Sequence, residues 1–143
     1  MNFPVPAFIQ DAEFVDGIIE GTLEVEPGVL DAFFDSESED PTEEDFRAVF
    51  GNAERFCKVF NRAFHQSITR GAAEDITNES FEDSLEEPAE KDYALLAADL
   101  ILKAAQFFPD ATLLIYESPR IFPKEEIVAE LNAEFELAEA YFD

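Results

Sequence analysis

The stretch Asp35-Ser-Glu-Ser-Glu-Asp-Pro-Thr-Glu-Glu-Asp45 places seven carboxylates in eleven residues with no Lys or Arg among them. Carboxylates at this density can coordinate a hard cation, work as an acid/base pair, or stand in for the phosphates that a basic protein surface binds. The first use fails on spacing: a calcium loop starting at Asp35 would have Asp40 at its glycine position and Phe46 at its closing Glu position. The second has no motif to single out two of the 34 acids. The third needs only that carboxylates be numerous and held on a rigid scaffold.

Other reactive residues are sparse. A single histidine, His65, excludes two-histidine metal sites, and the five glycines form neither a P-loop nor a GxGxxG motif. Cys57 falls on a Phe-rich helical face, where a thiol is buried and inert. His65 falls at the edge of a basic stripe with no nucleophile beside it and reads as a surface residue. No catalytic residue, metal site or cofactor is expected, and the chain does not read as an enzyme.

With 143 residues, the chain is expected to form one globular domain. Its 47% hydrophobic content and 16 Phe argue against disorder despite a net charge of -25. One cysteine excludes an internal disulfide, and neither a secretion signal nor a run of about 18 apolar residues is present, so a cytoplasmic protein is expected. The charge repels nucleic acid and anionic membrane and attracts basic proteins. The expected partner is therefore a basic nucleic-acid-binding protein, met by a monomer or homodimer.

The elements that would hold these acids read as mainly α, with α+β as the alternative: about four to five helices and a small two-stranded β element. Phe8, Ala12, Val15, Ile19 and Leu23 share a helical face, with residues 22–26 alternating as a strand. Pro27-Gly28 marks a turn, and Val29 to Phe34 reads as a brief helical turn. Thr42-Glu-Glu-Asp45 has the form of a capping box, which explains three of the seven acids. The helix it opens runs to about Arg70, with Phe46, Phe50, Ala53, Cys57, Phe60, Phe64 and Ile68 in one arc. Arg47, Arg55, Lys58, Arg62 and His65 lie opposite. Residues 46–70 hold five Lys/Arg against one acid, a local charge of +4 in a chain otherwise at -29. That stripe reads as surface or as intramolecular ion pairs.

Residues 71–87 read as a second acidic connector with Phe81 and Leu85 on a short docked helix. Pro88 to Phe108 reads as the central buried helix, and Ala111 to Tyr116 as a strand paired with residues 22–26. Pro123 opens a last helix burying Ile127, Val128, Leu131, Phe135, Ala138 and Phe142. On that helix Glu126, Glu130 and Glu134 form a row about 6 Å apart, unrelieved by any Lys or Arg between residues 125 and 143. This spacing is of the order of that between phosphates along a nucleic-acid strand.

In length and charge the chain resembles DNA-mimic proteins as a class, a likeness of composition that rests on no shared motif. The functional expectation is an acidic inhibitor that occupies the basic groove of a DNA- or RNA-binding or nucleic-acid-cleaving protein, as in anti-restriction or anti-CRISPR action. The residues expected to bind are Glu37, Glu39, Asp40, Glu43 and Glu44, then Glu79, Glu82, Asp83, Glu86 and Glu87, then Glu126, Glu130 and Glu134. Phe33-Phe34, beside the first group, is a candidate apolar anchor. The alternatives are a salt-adapted housekeeping domain, against which stand 22 Glu to 12 Asp, or an acidic immunity or chaperone protein for a basic partner.

Overall fold

In a computed structural model that describes residues 4–25 and 28–143, Asp16 and Gly17 take φ of 50° and 84°. Positive φ at both positions is the signature of a two-residue type I′ turn, which matches the twist of a β-hairpin. Residues 9–25 consequently fold back as β1 (Ile9–Val15) and β2 (Ile18–Val25) instead of a helix. The strand expected over residues 22–26 is, as far as Val25, the second half of β2, and residue 26 lies outside the described residues. The expected turn at Pro27 lies outside the described residues, and Gly28 begins β3 (Gly28–Phe34), a strand where a helical turn was expected.

The capping box forms as its spacing predicts. Thr42 Oγ1 accepts from the Asp45 amide at 3.3 Å, and Asp45 Oδ2 accepts from the Thr42 amide at 2.8 Å, opening α1 (Glu43–Val59). The expected single helix to Arg70 is broken at Phe60, which is extended, and at Asn61, whose Oδ1 accepts from the Phe64 amide at 2.8 Å and starts α2 (Arg62–Ser80). An N-cap side chain at Asn61 supplies an orphan amide with its partner, so the chain can turn there at little cost. Helix α2 absorbs residues expected to form the second connector, whose Leu85 is fully exposed and docks nothing. The expected central helix is shorter: α3 (Glu90–Asp99) gives way at Leu100 to β4 (Ile101–Phe107).

Then come β5 (Thr112–Ser118), β6 (Phe122–Leu131) and β7 (Leu137–Phe142). The strand expected at 111–116 is thus present, but its neighbours are β4 and β6 and not residues 22–26. The expected C-terminal helix is the β6–β7 hairpin. Ile127, Ala129 and Leu131, fully buried at alternate positions, show why: the core-facing period is two.

The expectation of a mainly helical protein with a two-stranded β element is therefore corrected. The molecule is built on a seven-stranded mixed sheet, ordered β1 to β7 in sequence, with three helices among the described residues. All neighbouring strands are antiparallel except β3 and β4, which are parallel and joined through the helices. All three helices pack on one face. Phe46 and Phe50 of α1 meet Phe14 and Phe34, and Phe56 meets Phe107. His65 of α2 stacks on Tyr116, and Asp99 at the end of α3 accepts from the Ser118 hydroxyl at 2.6 Å. Gly71 lets α2 approach β7 closely, since a Cβ there would stand 2.7 Å from Leu137 Cδ2. One turn on, Asp75 Oδ2 accepts the Ala140 amide at 3.0 Å, occupying a donor of the edge strand.

Candidate partner-binding surface

Because side chains alternate along a strand, the pairing register sorts residues between the helix-covered face and the other one. The core face carries Leu30, Phe34, Phe107, Leu114, Ile127 and Leu131, all buried. The opposite face is covered by none of the three helices, and its side chains line up in rows across the strands. One row reads Glu13, Glu20, Phe33, Gln106, Leu113, Glu130 and Glu139, one residue from each strand. The next reads Gln10, Thr22, Asp31, Ala104, Ile115, Val128 and Tyr141. A third contains Glu24 opposite Val29 and Glu117 opposite Glu126.

Three of these pairings set Glu directly against Glu: Glu13 with Glu20, Glu117 with Glu126, and Glu130 with Glu139. Directly opposed residues stand about 5 Å apart, and like charges at that distance destabilise the sheet. Lys103 Nζ, 3.7 Å from Glu117 Oε2, relieves one of the six. Tyr141, opposite Val128 in the neighbouring row, has its hydroxyl pKa pushed upward by burial first and then by Glu130, Glu139 and Asp143.

A second acidic region forms at one end of the sheet. The antiparallel register brings the β1–β2 turn, the loop after β3, the β4–β5 turn and the β6–β7 turn to that end. They carry Asp16, the 35–45 acids, Asp110, Glu134 and Glu136, with no Lys or Arg. The loop is ordered by its own short side chains: Asp35 Oδ1 accepts from the Glu37 amide at 2.8 Å, and Glu37 sits at φ 66°. Asp35 and Asp45 are thus partly used internally, while Glu37, Glu39, Asp40, Glu43 and Glu44 are exposed.

Of the residues singled out by sequence, the first group and Glu134 share this end. Glu126 and Glu130 lie on the open face, one strand face and about 13 Å apart. The row Glu126, Glu130, Glu134 does not exist as a helical edge, because Glu134 belongs to the turn. Glu79 lies in the last turn of α2, and Glu82, Asp83, Glu86 and Glu87 follow the helix. There Phe81 shares a cleft with Ile121 of the β5–β6 connection and Phe122 at the start of β6, at the opposite end of the sheet. Sequence reasoning missed Glu13, Glu20, Glu24, Asp31, Glu117 and Glu139. The Asp16-Gly17 turn, flanked by alternating residues, was the signal that could have found the first three.

Phe34 is fully buried and Phe33 half-buried on the open face, so only Phe33 is available as an anchor. Arg47, Arg55, Lys58 and Arg62 are exposed, and Lys58 lies 3.8 Å from Glu54 of its own helix. His65, expected at the surface, is half-buried between Phe60 and Tyr116, and burial lowers its pKa. It lines an apolar cleft of about 310 Å³ with Val25, Leu30, Phe60, Leu100 and Leu102. Cys57 is half-buried, its thiol pushed up by burial and then by Glu54. Among the described residues, no group of three or more His, Cys, Asp or Glu is placed to hold a metal, and no helix is long and apolar enough to cross a membrane.

The fold and this surface define an α+β protein whose single sheet is clad in helices on one side and presents acids on the other. No family model, curated protein or solved structure matches the chain.

Proposed function

We propose that the protein is an acidic inhibitor whose carboxylates take the place of nucleic-acid phosphates in the basic groove of a DNA- or RNA-binding or nucleic-acid-cleaving protein. The observation that carries this reading is the set of three directly opposed Glu pairs on a sheet face that no helix covers. A surface kept acidic only for solubility would mix signs or stagger its acids, because opposed like charges lower stability without improving solubility. Opposed Glu residues about 5 Å apart across strands, and about 13 Å apart along them, offer Lys and Arg of a partner an array of acceptors on a rigid backbone. Attraction over distance would accelerate encounter, and salt would weaken it.

The test is affinity capture from a lysate with the purified protein as bait, eluted separately with rising salt and with duplex DNA. Retention of a nucleic-acid-binding protein that DNA displaces supports the proposal. A lysate from which nothing is retained at physiological salt, or from which the retained proteins are indifferent to DNA, refutes it.

A further inference from the structure

The acids of the open face are not spread evenly: they border an apolar strip. In the row Ala104, Ile115, Val128 and Tyr141, four neighbouring strands contribute apolar or aromatic side chains without a charge. The row on one side has Glu130 and Glu139, and the row on the other has Glu117 and Glu126. Along β6 the two borders are four residues apart, about 13 Å, while the strip crosses four strands, about 14 Å from first to last. An α-helix is about 10–12 Å across with its side chains. The strip is thus as wide as one helix and long enough for about two and a half turns.

Building on the inhibitor reading, we infer that the strip Ala104–Ile115–Val128–Tyr141 is the docking site for one basic amphipathic helix of the partner. Its apolar stripe would lie across the strands on the half-buried Ile115 and Tyr141, with Val128 buried between them. Lys or Arg residues flanking the stripe would reach Glu130 and Glu139 on one side, Glu117 and Glu126 on the other. Helix-in-groove recognition works in this way: the apolar stripe supplies affinity and the flanking charges fix the orientation. Charge complementarity decides the occupant. A second copy of this chain would set acid against acid across the same strip, and an acidic or neutral helix would leave Glu126, Glu130 and Glu139 partly desolvated without an ion-pair partner, Glu117 alone having Lys103 at 3.7 Å. The site differs from a purely electrostatic decoy surface in requiring an apolar stripe on the partner.

A synthetic peptide of about 14 Lys and Leu residues, patterned at the helical period, is the probe, with a scrambled peptide of the same composition and an oligolysine of the same charge as comparators. Binding is measured by fluorescence anisotropy at physiological salt. The amphipathic peptide should bind about tenfold more tightly than either comparator. Ile115→Gln should remove that advantage, and Ile115→Thr, which keeps the β-branch, should reduce it and guards against misfolding of the first variant; both are checked by circular dichroism and melting. The loop variant Glu37→Gln/Glu39→Gln/Asp40→Asn should change the affinity by less than about threefold. Equal binding of all three peptides, unaffected by the strip variants, overturns this inference while leaving the electrostatic inhibitor reading intact. No binding of any cationic peptide overturns both.

Discussion

Asp99 is a carboxylate with a structural use: Oδ2 accepts from the Ser118 hydroxyl at 2.6 Å and from the Arg120 and Ile121 amides at 3.0 Å each, tying the end of α3 to the β5–β6 turn. Burial pushes its pKa up, but the Ser118, Ile121 and Arg120 bonds and the Arg120 charge outweigh it, so the group is held below its ordinary value. A carboxyl with a depressed folded pKa adds stability that is present above the unfolded value and is lost as pH falls through the folded one. Asp99→Ala should lower unfolding free energy by about 1–2 kcal/mol, through loss of the hydrogen bonds that tie the turn to α3, the freed amides being open to water. Urea denaturation at neutral pH checks this; a change below about 0.5 kcal/mol would show the turn to be held by other contacts. His65 titrates with the same proton balance in a higher pH window. Its folded pKa is lowered by burial, so below the ordinary value near 6.5 the unfolded chain takes up a proton that the folded one resists. Stability should therefore fall as pH drops from about 6.5 toward the folded pKa, and His65→Phe should reduce that fall. Parallel pH profiles of the two proteins would contradict the burial of this ring.

At the scale of elements, local signals were legible and pairings were not. Thr42 and Asp45 cap α1 as their spacing predicted, because both partners of a capping box lie within one turn. The C-terminal acids misled because residues four apart share a side both on a helix and on a strand. The i, i+4 spacing of Glu126 and Glu130 therefore could not tell the two apart, and the alternation of Ile127, Ala129 and Leu131 was the better guide. The opposition of Glu117 to Glu126 depends on strand register, which no local pattern contains. The break between α1 and α2 was missed because Asn61 sits inside an otherwise continuous apolar arc. Its role predicts that Asn61→Ala will cost about 1 kcal/mol by loss of the cap, measured by thermal or urea unfolding. An unchanged stability would mean that packing of Phe60 and Phe64 alone sets the turn. Gly17→Val, at φ 84° in the β1–β2 turn, should cost about 1–2 kcal/mol, and a neutral result would show the hairpin to tolerate another turn type.

Over the whole molecule the acids are largely unmatched. Among the described residues Glu54, Glu74, Glu90 and Glu117 are in ion pairs, two of them with Arg70, in a chain of 34 acids and nine Lys/Arg. Screening reduces the Debye length to about 8 Å at physiological ionic strength, so Tm should rise from low to moderate salt as repulsion between the opposed Glu pairs weakens. A flat Tm would show that the acids do not repel one another. Uneven placement follows from the fold: antiparallel pairing gathers four acidic turns at one sheet end, and the helices leave the other sheet face free for acids. The most direct test of the inhibitor account is the salt dependence of affinity for a captured target. Wild type is compared with a variant carrying Gln at Glu13, Glu20, Glu117, Glu126, Glu130 and Glu139. The account predicts that affinity falls steeply with salt for wild type and that neutralisation lowers both the affinity and the slope. Unchanged affinity and slope in the neutralised protein would contradict it.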